Sequence, residues 1–275
     1  MFSIVYLYEY ANGGIADLFK YLFHVVDVAS QHRARVYILI DHPITKYLCV
    51  QPKYRITKER SQKFYRLTGH DNERQFTNIL KEHPNVVLKS TDFYGRKIDF
   101  HLTNDLDFRT VSKVYDLREY LIFTPEIYRE FEKIKPTTTG PYISIHYRLG
   151  DQSLETIPDL WYCENDNRRR DPRVIIKLVS EIIKQHPNCP IYFLADNNKC
   201  KQMVQHHFPQ LRTFYNGIYN PSYTYIDQKK ALEGIKQALI EFLFLSQSQE
   251  IHALSYSGFS ILSAYIGHVK LVKRY

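Results

Sequence analysis

The stretch from Tyr142 to Asp151, Tyr-Ile-Ser-Ile-His-Tyr-Arg-Leu-Gly-Asp, passes from an apolar run to a cluster of polar groups. It supplies an imidazole at His146, a guanidinium at Arg148 and a carboxylate at its end. An arginine guanidinium is a planar, permanently charged fork that pairs well with a diphosphate. This stretch therefore predicts an anion-binding site in which Arg148 is the principal residue.

Two later segments end in a similar way. Asp196 closes the apolar run 190–196, and a Ser-Tyr-Ser-Gly-Phe-Ser sequence follows the run 250–254. In open α/β folds, ligands bind where the carboxyl ends of parallel strands meet, and a helix start adds N–H donors for an anion. We therefore predict a nucleotide-diphosphate pocket lined by His146, Arg148, Asp196, Ser255, Ser257, Gly258, Phe259 and Ser260.

Each of these features also has a purely structural interpretation. Serines at a helix start commonly cap the helix. Asp196 can serve only to form a turn, and Arg148 can pair with Asp151 in a structural salt bridge. The occurrence of all three features in this order favours the pocket.

The elements that would position these residues follow from hydrophobic periodicity. Residues 2–8 predict a strand, Asn12-Gly13-Gly14 a loop, 15–31 a helix and 36–41 a second strand, which together form a βαβ unit. After a linker at 135–141, rich in proline and threonine, strands and helices alternate more regularly. We predict strands at 142–147, 190–196, 250–254 and 270–273, and helices at 172–186, 198–207, 228–246 and from 255. The fold class is α/β, with an N-terminal domain over residues 1–138 and a C-terminal domain over residues 139–275.

Composition limits the class of partner. The net charge of +8 admits anionic ligands, but the 37 lysines and arginines are dispersed, which argues against a nucleic-acid-binding protein. The run Arg168–Arg170 is a solvated surface or a contact for donor phosphate or acceptor. Four cysteines without paired spacing predict free thiols in a reducing compartment.

The amino terminus lacks a charged n-region and is too short for a signal peptide or a membrane span, so a cytoplasmic protein is expected. The chain has 23 Tyr and 16 Phe against 10 Gly, as an AT-rich, for example viral, coding sequence would give.

The motif peptides carry a family resemblance. His146-Tyr-Arg148-Leu-Gly-Asp151 resembles the H-x-R-x-[GD] peptide of fucosyltransferases with the GT-B architecture, the superfamily of α1,2-, α1,6- and protein O-fucosyltransferases. The segments 192–196 and 241–260 are similar to the second and third peptides of that family. The segment 12–19 resembles its glycine-rich loop after the first strand.

The resemblance implies two Rossmann-like domains facing a cleft. The C-terminal domain would bind GDP-fucose and the N-terminal domain an oligosaccharide or glycoprotein acceptor. Arg148 and the turn 257–260 would hold the pyrophosphate, with His146 nearby and Asp196 at the base or ribose; Asn12, Gly13 and Gly14 would complete the donor site. The implied reaction is inverting sugar transfer without a metal or other cofactor.

Two alternatives to this enzyme remain open from the sequence. Leu149 stands where the family often has a second arginine, and a related donor such as UDP-xylose would fit the same pocket. A non-catalytic nucleotide- or glycan-binding protein would also keep the pocket, without an acceptor base.

The acceptor base is expected from the N-terminal half. Asp17 and Glu9 flank the glycine-rich loop, and either is a candidate to accept the hydroxyl proton. Asp17 alternatively complements the dipole of the first helix. Asp151 is expected to orient Arg148.

Two motifs that suggest metal binding are interpreted as surface features. Asp105-Leu-Asp107 is a D-x-D sequence in a polar stretch, and we predict a solvated loop there. His206-His207 are adjacent, so their rings diverge on a helix, where two metal ligands would need i, i+4 spacing. No metal site is predicted.

Overall fold

In the computed structural model the described chain forms two compact units. One contains residues 1–100 and 113–126, and the other contains residues 101–112 and 127–275. Each unit is a group of residues in close contact, and this does not show that it folds independently. The predicted domain boundary after residue 138 therefore stays a prediction. The structure describes residues 2–9, 14–67, 73–89, 105–107, 115–136, 140–150, 153, 168–215 and 228–275.

The first unit is built on the predicted βαβ unit. Strand β1 (Ser3–Glu9) pairs in parallel with β2 (Arg35–Asp41), and helix α1 (Ile15–Gln31) connects them. The apolar side chains of α1 recur at helical spacing, so that one face is buried. The sheet has the order β2-β1-β5-β4, where β4 is Tyr65–Arg66 and β5 is Asn85–Lys89.

Several short elements of this unit were not predicted. Strands β3 (Leu48–Val50) and β7 (Leu121–Phe123) form a separate antiparallel pair. Helices α2 (Lys58–Ser61) and α3 (Glu73–Glu82) lie in the polar stretch 50–85, where the sequence predicts helix only in parts. Strands of two or three residues are too short to show a periodic pattern.

The second unit contains a five-stranded sheet of order β6-β11-β10-β8-β9. Its described strands pair in parallel, except for β6, which is antiparallel to β11. The α/β class predicted from the sequence is confirmed. The elements are β6 (Asp105–Asp107), α4 (Pro125–Ile134), β8 (Ile143–Tyr147), α5 (Pro172–Gln185), β9 (Ile191–Ala195), α6 (Asn198–His207), α7 (Gln228–Ser246), β10 (Glu250–Ala253), α8 (Gly258–Gly267) and β11 (Lys270–Lys273).

Strand β8 is buried on both faces. Ile143 and Ile145 pack in a core cluster with Val179 of α5. On the opposite face, the Ser144 hydroxyl contacts that of Ser248, just after α7, and His146 contacts α8. The polar residues that alternate with isoleucine in this strand are therefore buried too, and their side chains are hydrogen-bonded.

Helices α7 and α8 approach closely at one glycine. A Cβ atom built on Gly267 would lie 1.8 Å from the carbonyl oxygen of Ser246. Only a residue without a side chain fits between the end of α8 and the end of α7.

Two local predictions were wrong. Asp105–Asp107 is not a loop but the edge strand β6 of the second unit. With one apolar residue among three, it is too short to show a strand pattern. The sequence of residues 211–215 also suggests a short strand, but the structure has only an isolated bridge there, between Arg212 and Tyr192.

Other expectations concern the whole chain. Cys49, Cys189 and Cys200 are free thiols, while Cys163 lies outside the described residues. Among the described helices, none is both long and apolar enough to span a bilayer. The cytoplasmic location and the viral origin stay predictions.

Candidate functional site

The structure brings three loops together at the carboxyl edge of the second unit's sheet. Strand β8 lies between β9 and β10, with Tyr147 opposite Ala195 and His146 opposite Ala253. The residues that follow these three strands are therefore neighbours. They are the segments beginning at Arg148, at Asp196 and at Ser255.

Arg148 and Asp196 form the central ion pair of this edge. The Nη1 atom of Arg148 lies 2.5 Å from Oδ2 of Asp196, and both side chains are largely buried. The same carboxylate accepts hydrogen bonds from the Leu149 N–H at 2.8 Å and the Gly150 N–H at 3.3 Å. Burial raises the pKa of Asp196, whereas the guanidinium and the two N–H groups oppose that rise. Asp196 thus orients Arg148, a role that the sequence assigned to Asp151.

Gly150 allows the loop after β8 to close on this carboxylate. Its φ angle of 102° lies in a region that residues with side chains rarely adopt. The sequence identified the Leu-Gly-Asp segment as part of the motif but did not assign this backbone role to its glycine.

Ser255 connects the loops after β8 and β10. Its hydroxyl donates a hydrogen bond to the carbonyl of Arg148 at 2.7 Å and accepts one from the N–H of Arg148 at 3.0 Å. The predicted role of this hydroxyl in donor binding stays a prediction, because the structure shows it bonded to the backbone. The contact fixes the position of Arg148.

His146 is buried beneath the start of helix α8. Its Nδ1 atom lies 2.6 Å from the hydroxyl of Ser260, and its ring stacks on Phe259 at a centroid distance of 5.5 Å. Burial lowers the pKa of His146 to about 3, and the nearby charges of Arg148, Lys201 and Arg168 act in the same direction. The ring is therefore neutral near pH 7, which suits a residue that positions the helix start.

Helix α8 presents its amino terminus at this edge. Ser257 is the N-cap, and its hydroxyl accepts a hydrogen bond from the N–H of Phe259 at 3.3 Å. The serine cap that the sequence left as an alternative is thus present. The N–H groups of a first helical turn and the positive end of the helix dipole favour an anion beside Gly258.

The sequence left open whether Arg168 is a solvated surface residue or contacts a ligand. Its Nη1 atom donates to the carbonyl of Tyr256, one residue before the helix cap, at 2.8 Å. Its backbone is also held to β8, because the Arg168 N–H donates to the Leu149 carbonyl at 2.8 Å and the Tyr147 hydroxyl donates to the Arg168 carbonyl at 3.3 Å. A second guanidinium therefore stands at this edge, although Leu149 replaces the second arginine of the motif.

A cavity of about 440 Å³ opens at the same edge, beside Leu149 and Asn197. It is lined in part by the cations Arg169, Arg170 and Lys199. These charges make the surroundings of the ion pair favourable for a phosphorylated ligand.

Gly14 and Asp17 lie in the first unit, at the start of α1. The N–H of Gly14 donates to Oδ2 of Asp17 at 3.0 Å, and the Gly14 carbonyl accepts from the Asp17 N–H at 3.0 Å. This contact stabilises the helix start, the alternative that the sequence left open for Asp17. Burial raises the pKa of its carboxyl, against the Gly14 hydrogen bond and the charge of Lys20. The role of Asp17 as a base stays a prediction.

Three residues named from the sequence cannot be placed. Asn12, Gly13 and Asp151 lie outside the described residues. The donor-binding role of the first two and the orienting role of Asp151 stay predictions.

Comparison with solved structures identifies the fold as that of fucosyltransferases, which confirms the fold predicted from the motifs. The NodZ alpha-1,6-fucosyltransferase soaked with GDP-fucose aligns over 97% of this chain and 93% of its own, with a TM-score of 0.57 and 11% identity. A FUT1 variant from Arabidopsis thaliana in complex with GDP aligns over 100% and 71%, with a TM-score of 0.58 and 10% identity. POFUT1 in complex with GDP aligns over 96% and 94%, with a TM-score of 0.50 and 10% identity. Neither protein-family models nor curated protein sequences match the chain.

Proposed function

We propose that the protein is a glycosyltransferase that moves a sugar, L-fucose from GDP-fucose in the favoured case, to an oligosaccharide or glycoprotein acceptor. The observation that carries the proposal is the juxtaposition of Arg148 with the amino terminus of α8. The fucosyltransferase fold supports it, since the solved proteins of that fold include one soaked with GDP-fucose and two in complex with GDP.

The charges at the carboxyl edge suit a departing nucleoside diphosphate. As the bond to the sugar breaks, negative charge grows on the oxygen of the β-phosphate. Arg148, Arg168 and the helix amino terminus provide fixed positive charge and N–H donors for it, which is the form of stabilisation that contributes most in many enzymes. This set of groups supports a transfer in which no metal is needed to neutralise the diphosphate.

The proposed reaction is a direct displacement with inversion. The acceptor hydroxyl oxygen forms a bond to the anomeric carbon, the bond from that carbon to the β-phosphate oxygen breaks, and GDP leaves with the electron pair. The acceptor proton passes to a carboxylate, for which Asp17 is proposed and Glu9 is the alternative. Asp196, held by Arg148, would act on the donor side by orienting the guanidinium.

Calorimetric titration with GDP, GDP-fucose, UDP, UDP-xylose and UDP-glucose tests the donor. Arg148→Lys keeps the charge but lacks the planar fork, so we expect GDP affinity to fall at least roughly tenfold. Arg129→Ala is the matched control, because Arg129 is exposed on α4 and its loss should leave affinity unchanged.

The outcomes separate the alternatives. A preference for UDP would keep the fold and overturn the fucose assignment. GDP-fucose that is bound but not transferred to any glycan acceptor would indicate a non-catalytic binding protein. If no nucleotide binds, the transferase proposal fails.

A further inference from the structure

Two imidazoles and a carboxylate meet at the amino edge of the second unit's sheet. Glu250 is the first residue of β10 and lies opposite Ile143 and Lys270, the first residues of β8 and β11. His252 is two residues further along the same strand, and His186 follows the last residue of α5. The donor site lies at the other ends of these strands, so the triad takes no part in it.

The three side chains converge on one point. The Nε2 atoms of His186 and His252 lie 3.3 Å apart, and Oε1 of Glu250 lies 2.7 Å from the Nε2 atom of His252 and 3.6 Å from that of His186. Ligands arranged tetrahedrally around zinc at bonds of about 2.0–2.1 Å are separated by about 3.3 Å. Two of the observed separations, 3.3 and 3.6 Å, are close to this value, and the third, 2.7 Å, is a hydrogen-bond distance that zinc binding would lengthen.

The surroundings leave a fourth position accessible. A cavity of about 590 Å³ is lined by His186, Glu250 and the three cations Lys270, Lys273 and Arg274, among others, so that water or an anion can reach the triad. Lys270 Nζ binds Oε2 of Glu250 at 2.8 Å, which fixes the carboxylate and leaves Oε1 directed at the imidazoles. Two histidines and one glutamate with an open fourth position are a ligand set that proteins use for zinc.

We propose that His186, Glu250 and His252 bind a zinc ion at this edge, where it connects the end of α5 to the start of β10. The site is separate from the proposed donor pocket. Zinc binding displaces the direct contact between Glu250 and His252, and it requires the proton of the His252 ring to reside on Nδ1.

Arg274 opposes this binding. Its Nε atom, which can only donate, lies 3.4 Å from Nδ1 of His252, and its charge adds to that of Lys270. Replacing Arg274 with glutamine removes the charge and provides an acceptor for the Nδ1 proton. Arg274→Gln should therefore tighten zinc binding, an effect that a merely structural cluster would not produce.

The test is titration of metal-free, tag-free protein with Zn²⁺ against a chromophoric chelator, together with the visible absorption spectrum of the Co²⁺-substituted protein. We expect one stoichiometric site, a tetrahedral cobalt spectrum without thiolate charge-transfer bands, and a loss of affinity of at least roughly tenfold in His186→Ala. Arg274→Gln should raise the affinity by roughly tenfold or more. The matched control is the double substitution of His206 and His207 by alanine on α6, which should leave binding unchanged.

Folding is checked by thermal unfolding of each variant without metal. His186→Ala is the informative variant because His186 follows a helix end, whereas His252 is buried and its loss could unfold the protein. Absence of a stoichiometric site in the wild-type protein, binding that survives His186→Ala, or cobalt bands from a cysteine thiolate would each overturn the proposal. Because none of these readouts involves a nucleotide sugar, the result is independent of the proposed transferase activity.

Discussion

Arg148 and Asp196 form an ion pair between residues 48 positions apart, with Nη1 and Oδ2 separated by 2.5 Å. The pair joins the ends of two adjacent parallel strands. It also determines the direction of the guanidinium, which is the principal cation of the proposed donor site.

The two residues of this pair should contribute to stability as a coupled unit. We expect Arg148→Ala to lower the free energy of unfolding by about 3 kcal/mol, because it leaves a largely buried carboxylate without its counter-charge. The double variant with Asp196→Ala should cost clearly less than the sum of the single variants. Urea denaturation of the four proteins measures this coupling, and additive losses would show that the two side chains do not interact in solution.

His146 should make the protein sensitive to acid. Its pKa is about 3 in the folded state against a usual 6.5, so the unfolded chain binds a proton that the folded state does not. The resulting stability is fully present above pH 6.5 and is lost as the pH falls towards 3, by up to about 1.4 kcal/mol per pH unit.

The measurement is the pH profile of stability for the wild-type protein and for His146→Asn, which keeps a hydrogen-bonding partner for Ser260. The variant should show a shallower decline over this range. Parallel profiles would mean that the imidazole titrates as in an exposed site.

The two roles of Asp17 can be separated by two substitutions. Asp17→Ala removes the acceptor for the Gly14 N–H and should destabilise the protein by about 1 kcal/mol. Asp17→Asn keeps an acceptor oxygen but cannot take a proton. If Asp17 is the base, Asp17→Asn should retain stability and lose roughly 10²–10⁴-fold in transfer rate. Full transfer activity in this variant would leave only the structural role.

Arg168 should contribute to donor affinity. Its guanidinium lies next to the helix cap through the Tyr256 carbonyl, where a diphosphate is proposed to bind. Arg168→Ala should weaken GDP binding roughly tenfold, or about 1.4 kcal/mol, in calorimetric titration. Arg129→Ala is the control of equal charge, since Arg129 is exposed on α4. Equal losses in both variants would indicate a general charge effect rather than a specific contact.

Gly267 should tolerate no side chain. Gly267→Ala places a methyl group against the Ser246 carbonyl and should cost about 2 kcal/mol or more, because α7 and α8 must separate to accommodate it. Gly140→Ala is the matched control, since a Cβ atom there meets nothing within 4 Å. Thermal unfolding compares the two variants, and similar melting temperatures would contradict the close approach of the helices.

The regular elements of the second unit were predictable because each is long enough to show a period. The isoleucines of β8 and the apolar run of β9 indicated buried strands, and the spacing of apolar residues in α5 indicated a helix with one buried face. The edge strand β6 was missed because a strand of three residues, two of them aspartates, is too short to show a periodic pattern.

The candidate site was predictable in its location but not in its contacts. Strand ends in a parallel sheet must meet, so the neighbourhood of Arg148 followed from the pattern. The identity of its partner did not, because Asp151 is close in sequence while Asp196 is close only after β8 and β9 pair. The contact between His186 and His252 was not predictable either, because the two residues lie 66 positions apart in the sequence.

The Ser255 hydroxyl holds the loop after β8 by hydrogen bonds to the main chain of Arg148, so this contact does not depend on which side chain stands at position 148. The geometry of the loops around the pocket and the contacts to a ligand therefore depend on different atoms. Over evolutionary time, positions 148 and 196 can change together, as a charge pair must, while the serine keeps both loops in place. Such a division lets the loop geometry persist while the side chains that contact the ligand change.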